Sequence, residues 1–460
     1  MEPNSSSDAL RALSRRAPRY TSYPTAPHFT DAVGPQDAAR WLAALPDEPV
    51  SLYLHIPFCD TLCWFCACRT QGATRHAPVA RYLEHLTAEA AHLARLAPGR
   101  LRAARMHWGG GSPTVLTPDE IESLAAALRA AFELTDDAEI AVEIDPRDMT
   151  PERLDAFARI GLNRASIGVQ DFDPVVQKAI NRMQGWEMTR DVIEGLRARG
   201  VRGVNIDALY GLPFQTESSL RATLERLIAL RPDRVALYGY AHVPWMARRQ
   251  RAIPAEALPG PAERMAQAAL AAELLTAAGY EAVGIDHFAL PEDGLARAAR
   301  EGRLRRNFQG YTDDPHPTLI GMGASAISRA PQGYWQNAAA TSEYQNRIGA
   351  GALAVARGRA LSLDDRVRAH AIERIMCDFR FDGAELRARF GDFAEPCLAI
   401  ARALIAGTGG EPASALAGRL RQTGPESFEL PPESRPFARL AAAAFDAYLE
   451  LGAARHSQVV

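Results

Sequence analysis

The chain is almost without lysine. Of its 52 Lys+Arg residues, Lys178 is the single lysine. A Schiff-base mechanism therefore has one candidate, and it sits in a polar helical stretch. Cysteine is also scarce, with six in 460 residues, too few for a disulfide scaffold. Neither charge is in excess. Lys+Arg 52 against Asp+Glu 55 leaves a net charge of −3, so no basic surplus points to nucleic acid or an anionic bilayer. A local basic pocket for a small anion stays open. Every Ala-rich apolar stretch is broken by charge before the ~18 residues of a spanning helix. Met1-Glu2-Pro3-Asn4 leads into no basic stretch with an apolar core, as a secretory leader would. The expectation is a cytoplasmic protein whose reduced thiols are free to bind metal, with neither membrane nor nucleic acid as a partner. What is present is ordinary: 47% hydrophobic and 23% charged residues, a globular balance that excludes disordered, collagenous and coiled-coil chains. The length is about three times the ~150 residues typical of a domain. It suits one catalytic-sized unit with one or two small ones.

Residues 1–48 show little periodicity. Ser5–Ser7 suggests a loose start, whereas Ala17–Thr25, with two prolines and two tyrosines, reads as an extended arm laid on a surface or as a linker. From residue 49 to 245 the pattern is strand, loop, helix, repeated. Strands are expected at Ser51–His55, Ala103–Trp108, Glu139–Ile144, Asn163–Val169, Val204–Leu209 and Arg234–Tyr238. Thr117-Pro-Asp-Glu120 and Thr150-Pro-Glu152 are helix starts. Six strands alternating with helices call for parallel pairing with right-handed crossovers. Every strand ends in polar, glycine or aromatic residues, which favours a barrel collecting all its strand ends at one mouth over an open sheet with one switch point. The expected fold class is α/β: an incomplete (β/α)6-type TIM barrel with an N-terminal arm and a mainly helical C-terminal domain. Residues 246–358 read as a barrel extension covering the substrate region, with a strand near Tyr280–Ile285 and glycine-bearing loops at Asn307–Thr312 and Gly321–Ser325. Residues 359–460 read as the helical domain, with a small hairpin between Phe428 and the helix from Phe437.

Cys59, Cys63 and Cys66 sit in the loop after the first strand, with Cys68 two residues on. Three thiolates on a short loop can surround one soft centre. Zinc would want four ligands in a closed tetrahedron, and Cys68 is awkwardly placed to be the fourth. An iron–sulfur cube held by three cysteines would keep one iron open for an exogenous ligand. Trp64 and Phe65 would shield such a centre from water. Iron–sulfur cluster, zinc site and plain reduced thiols all remain open on spacing alone.

The CxxxCxxC loop after the first strand resembles the radical S-adenosylmethionine superfamily. The wider set is more specific: Tyr53-Leu-His-Ile-Pro-Phe-Cys59, Trp64-Phe-Cys-Ala-Cys68, His107-Trp-Gly-Gly-Gly111, Glu143-Ile-Asp-Pro-Arg147, Gly168-Val-Gln-Asp171, Asn205-Ile-Asp207, Tyr210-Gly-Leu-Pro213 and Asn307-Phe-Gln-Gly-Tyr311. From about residue 17 to the C-terminus these resemble the oxygen-independent coproporphyrinogen III oxidase family. The Pro18–Pro24 arm and Cys68 belong to that pattern, and haem-chaperone relatives lack both. The resemblance implies that Cys59, Cys63 and Cys66 hold a [4Fe–4S] cluster with one open iron. It implies two molecules of S-adenosylmethionine, the first lined by Tyr53, Gly110, Glu143 and Ile327. Phe65, Gly111, Ser112, Gln170, Arg182, Asp207 and Ala241 line the second. Tyr53 is grouped with the three cysteines as catalytic. The implied reaction is oxidative decarboxylation of the ring A and B propionates of coproporphyrinogen III to vinyl groups through 5′-deoxyadenosyl radicals. The product is protoporphyrinogen IX, in haem and porphyrin biosynthesis. A reductant such as a flavodoxin or ferredoxin is implied as partner, and a monomer is expected.

The residues themselves fit in part. Gly109–Gly111 between strand and helix let a ligand approach the backbone, though three glycines also make an ordinary strand-end turn. Glu143 suits an amine or a salt bridge, and Arg182 a carboxylate or solvent. Asp207 on an apolar strand is a sharper signal, because an unpaired charge there is costly. Tyr53 and Phe65 would otherwise be read as core. Arg19, Arg164, Arg248, Arg249 and Arg306 are candidates for the substrate's carboxylates, and His55, His242 and His287 for proton donors or structural histidines. Cys377 and Cys397 read as buried structural thiols. Two positions depart from the family's pattern: Ala67 stands where glycine is usual, and Ser112 where threonine is common. Ser112 keeps the hydroxyl. The alternatives are a haem-binding chaperone on the same scaffold and a zinc-stabilised structural protein.

Overall fold

The computed structural model describes residues 17–408 and 410–449. The expected loose start at Ser5–Ser7 lies outside the described residues. The six strands form where their patterns place them: β1 Val50–Ile56, β2 Arg102–Gly110, β3 Glu133–Ile144, β4 Arg164–Gln170, β5 Gly203–Tyr210 and β6 Arg234–Gly239. Each pairs in parallel with the next. The helices between them include α1 Ala77–Leu96, α2 Pro118–Ala131, α3 Pro151–Arg159, α4 Trp186–Ala198 and α5 Glu217–Ala229, and α6 Pro261–Ala277 follows the last strand. Thr117 caps α2 reciprocally with Glu120 behind a proline at the first helical position. Thr150 caps α3 in the same region of the sheet.

Period-two alternation along the strands sets two faces. Leu52, Leu54, Ile56, Met106, Trp108, Val142, Ile144, Ile167, Ile206 and Val235 join the helices in one large core. The residues alternating with them are polar or small: Tyr53, His55, His107, Glu143, Ser166, Gly168, Asp207 and Tyr238. The inner face is therefore a lined channel rather than the layered apolar plug of a closed barrel. Its N-terminal end is filled by ion pairs. Glu139 accepts from Arg105 and Arg164 at 2.8 Å each, and Arg234 reaches Asp293 at 2.6 Å and Asp313 at 3.1 Å. The C-terminal end carries the site.

The barrel does not close. Strand β9 (Leu319–Met322) joins β1 in parallel, and β10 (Ile327–Ala330), β11 (Gly333–Asn337) and β12 (Val355–Ala360) continue antiparallel. At the other edge β6 takes an antiparallel hairpin, β7 (Glu281–Val283) and β8 (His287–Ala289). The twelve-stranded order is β12-β11-β10-β9-β1-β2-β3-β4-β5-β6-β8-β7. Three expectations shift. The strand expected near Tyr280–Ile285 is Glu281–Val283, the first arm of this hairpin, which turns at 284–286 and returns as His287–Ala289. Gly321–Ser325 is partly strand, because Gly321 lies beside Tyr53, where a side chain would collide with the Ile327 backbone. The loop expected at Asn307–Thr312 is the turn and second strand of a short hairpin, Arg305–Asn307 with Gly310–Thr312.

Beyond Ser362, which caps a helix over Leu363–Asp378, the chain is mainly helical around a second core. The hairpin there is Arg421–Gly424 with Ser427–Glu429, so Phe428 lies within its second strand instead of before the turn. The arm is an integral part of this core: Ala17, Tyr20 and Tyr23 are buried in it. Among the described residues no helix is long and apolar enough to cross a membrane.

Candidate active site at the C-terminal strand ends

The loop after β1 carries the cysteines. Its start is fixed by backbone bonds, with Gly111 N–H donating to Ile56 O at 2.8 Å and Ser112 N–H to Phe58 O at 2.7 Å. Its far side is held by the segment after the short helix Pro174–Ala179. Trp64 N–H donates to Ile180 O at 2.9 Å, and Asn181 Nδ2 to Leu62 O at 2.8 Å. All three loop cysteines are free thiols, and Cys63 is buried. Two guanidinium groups reach its sulfur, Arg147 Nη2 and Arg182 Nη1, each at 3.4 Å. Asp145 stands between those arginines, 2.6 Å from Arg147 Nη2 and 3.0 Å from Arg182 Nη1. Burial raises the Asp145 carboxyl, but the two arginines outweigh it and hold it below the usual carboxylate range.

The thiols differ. Burial, then the charges of Cys66 and Cys63, push Cys59 up to about 12. Its hydrogen bond with the Cys68 side chain brings Cys66 down, aided by the Cys68 N–H at 3.4 Å. A Cys59 thiolate opposed by its two neighbours, and a Cys63 sulfur backed by two arginines, make a donor set suited to a centre of positive charge that draws thiolates together. That fits the iron–sulfur assignment. Among the described residues no three such side chains converge on a single metal ion. Cys68 acts on Cys66 directly.

The glycine run places Glu143. Its Oε2 accepts from Gly110 N–H at 3.0 Å, and its Oε1 lies 3.1 Å from His107 Nε2. Burial opposes ionisation, but the bonds from His107 and Gly110 hold the carboxyl below its ordinary range. Space here requires glycine. At Gly109 a Cβ would lie 2.3 Å from Glu143, and at Gly111 2.4 Å from Phe58 O. Gly110 adopts φ +109°, a region that side chains avoid. Tyr53 stacks on His107 with ring centroids 5.9 Å apart and contacts His55 Nδ1 at 3.1 Å. His55 in turn contacts Arg69 O through Nε2. Ile327 lies across β9 from Tyr53, its carbonyl against Gly321.

The remaining expected residues gather on the other side. Arg182 Nη2 donates to Gly168 O at 2.5 Å, while its buried Nε has no partner. Gln170, in a left-handed conformation (φ 69°), lies beside it over Gly168. Gly168 pairs with Asp207. Asp207 accepts from Asn205 at 2.8 Å and from Ser166 at 3.2 Å. Burial, then the charge of Glu143, push its carboxyl up to about 6. Ser112 is buried and hydrogen-bonds to Thr114. Phe65 and Ala241 are tied together by Gln250, whose Nε2 donates to both carbonyls, at 2.7 and 3.0 Å.

The candidate arginines scatter. Arg164 lies in the ion-pair plug at the opposite end of the channel and is not at the mouth. Arg249 braces the loop through Cys68 O and Thr70. Arg306 is buried against Tyr311, Arg248 is exposed, and Arg19 donates to Gly239 O at 3.1 Å. His287 is paired with Asp286, and His242 with Tyr240. His107, Asp145, Arg147 and Gln250 also belong to the site, although the sequence does not single them out. The first three were within quoted motifs, each directly after a strand or beside a glycine run. Gln250, in a linker-like stretch, gave no signal.

A family model described as the Radical SAM superfamily matches residues 53–227. The oxygen-independent coproporphyrinogen III oxidase of Paracoccus denitrificans (strain Pd 1222) is 48% identical over 462 residues, covering 100% of both chains. This chain belongs to the oxygen-independent coproporphyrinogen III oxidase family. The member from Escherichia coli (strain K12) is 42% identical over 373 residues, 81% of each chain. The solved structure of an Escherichia coli coproporphyrinogen III oxidase, a radical SAM enzyme, superimposes with a TM-score of 0.88 at 38% identity. It covers 94% of this chain and 98% of that one. The incomplete barrel, the edge strands and the helical C-terminal region thus share the architecture of that enzyme.

Proposed function

We propose that this protein converts coproporphyrinogen III to protoporphyrinogen IX without oxygen, turning the ring A and B propionates into vinyl groups. Each conversion releases one CO2 and removes one hydrogen atom and one electron. The observation that carries the reading is the three-cysteine loop, gripped by Arg147 and Arg182 at the open mouth of a fold shared with the Escherichia coli enzyme. When bound, a [4Fe–4S] cluster with S-adenosylmethionine supplies the 5′-deoxyadenosyl radical that takes a hydrogen atom from an unactivated carbon.

The chain's own residues then have defined tasks. Cys59, Cys63 and Cys66 hold the cluster, and Cys68 tunes Cys66 without ligating. Glu143, kept ionised, accepts from the methionyl amine of a first S-adenosylmethionine. Tyr53, Gly110 and Ile327 shape the space around it. Phe65, Gly111, Ser112, Gln170, Arg182, Asp207 and Ala241 line a second molecule, where Asp207 suits a pair of ribose hydroxyls. Trp64 and Phe65 keep water from the loop. A small redox protein such as a flavodoxin or ferredoxin delivers electrons, and the enzyme works as a cytoplasmic monomer. Residues 1–48, 49–245, 246–358 and 359–460 serve as arm, catalytic barrel, covering extension and helical domain.

The test is anaerobic turnover of the reconstituted protein with coproporphyrinogen III, excess S-adenosylmethionine and a reductant. Protoporphyrinogen IX and two CO2 per substrate are expected. Haem binding without turnover, or a zinc-loaded protein lacking the broad brown absorption of an iron–sulfur cluster, would refute the reading.

A further inference from the structure

A cavity of about 690 Å3 lies at the seam between the end of β6, one face of α6, the β7–β8 hairpin, the N-terminal arm and the segment Pro432–Arg439. Its size is within the roughly 300–1,000 Å3 of sites that enclose small organic ligands. Much of its wall is apolar, from Leu237, Leu258, Met265 and Phe288 together with alanines of α6. It adjoins the cysteine loop: Ala241 in its wall shares Gln250 with Phe65.

Arg264 gives this cavity its chemistry. It projects from the first turns of α6 against Gly211 and Gly239, where a Cβ would come within 3.3 and 3.1 Å of its guanidinium. Its Nε is buried and has no hydrogen-bond partner. No carboxylate pairs with it among the described residues. Arg19 lines the same cavity from the arm and spends one donor on Gly239 O. Burial disfavours the charge on Arg264, and the neighbouring Arg19 adds to this while Tyr210 opposes it. A guanidinium nevertheless stays protonated, and a half-buried one without a counter-ion is costly until an anion arrives. A broad apolar wall, with the unpaired Arg264 and, beside it, Arg19, which also faces Asp286 of the same wall, complements a ligand that is itself a broad apolar ring bearing carboxylates.

We propose that this cavity seats the tetrapyrrole and that Arg264, with Arg19 beside it, receives one of its propionate carboxylates. The assignment rests on the proposed function, and it adds a substrate anchor outside the strand-end motifs. Two readouts keep the two ideas apart. Turnover by the unaltered holoenzyme tests the function. The cavity is tested by equilibrium binding of coproporphyrin III, the stable oxidised tetra-acid, to the reconstituted protein, followed by quenching of tryptophan fluorescence, since Trp245 lines the cavity. R264Q is expected to weaken binding about tenfold, ~1.4 kcal/mol. It should raise the KM for coproporphyrinogen III by a similar factor while kcat stays unchanged. The change in the cluster's electron paramagnetic resonance signal on adding S-adenosylmethionine should persist, which reports an intact fold. The uncharged tetramethyl ester should bind R264Q and unaltered protein alike. Unchanged tetra-acid affinity in R264Q, or an equal loss for acid and ester, overturns the proposal.

Discussion

Cys63 and Cys68 separate two roles that four closely spaced cysteines blur. Cys63 is buried with two arginines on its sulfur, whereas Cys68 is exposed and its N–H bonds to the Cys66 sulfur. Cys59→Ala, Cys63→Ala and Cys66→Ala should each lose most of the bound iron and all S-adenosylmethionine cleavage. Cys68→Ala should keep about four irons per chain, the complement of one cube. Iron assay with electron paramagnetic resonance checks this, and iron loss in Cys68→Ala equal to that of the others would make it a ligand. Gly111 makes a second point at this scale. An added Cβ would meet backbone atoms of Ile56 and Phe58 at 2.4–2.8 Å, and backbone cannot rotate aside. Gly111→Ala should cost about 2 kcal/mol by overpacking. It should also displace the start of the cysteine loop, seen as lower iron retention. An equal effect from alanine at Gly99, which has open space around it, would contradict the steric argument.

Among the elements, the join between α1 and the edge strands turns on Glu89. It is 2% exposed and accepts from Gly323 N–H, Asn337 Nδ2 and Tyr344 Oη–H, each at 2.7 Å. One carboxylate thereby binds the first crossover helix to the residue just after β9, to β11 and to the helix Thr341–Gly349. Burial pushes its carboxyl up to about 7 in spite of those bonds. An unfolded glutamate titrates near ~4.3. Between these values the folded chain holds a proton that the unfolded chain lacks, so this group's contribution to stability falls as pH rises. Glu89→Gln cannot ionise. Although it loses an acceptor, its melting temperature relative to the unaltered protein should improve from about pH 5 to about pH 8. Parallel melting curves across that window would show that Glu89 does not titrate there.

On the scale of the whole molecule, the arm joins regions far apart in sequence. Tyr20 Oη donates to Asp446 at 3.1 Å, Tyr23 Oη accepts from Ala447 N–H at 3.0 Å, and Thr30 pairs with Gly358 on β12. Arg439 donates to Pro18 O at 3.1 Å and to Ala17 O. Tyr20 is 4% exposed, so Tyr20→Ala should cost about 3 kcal/mol, as large-to-small changes of buried aromatics do. The loss should fall on the C-terminal region. Limited proteolysis should cut there first while iron content is retained. Uniform loosening of barrel and C-terminal region would mean the arm stabilises both equally.

Local pattern along the chain is enough to set the six alternating strands, the capped helices and the loop that bears the cysteines. Those depend on neighbours within about ten residues: period-two patterning, threonine–proline starts and glycine runs. It also carried the family resemblance, because the motifs sit on strand ends that the fold must expose. The edge strands β9 to β12 were not legible. They are short, interrupted by glycine and built outward one on another from β9, which itself pairs with β1, about 270 residues earlier in the chain. The same holds for the arm's burial, for Arg164 at the closed end of the channel and for Gln250 beneath the loop. Each is set by which distant segment lies opposite, and only the folded chain decides that. The cavity around Arg264 is the fullest case: five segments meet there, and no one of them encloses a site alone.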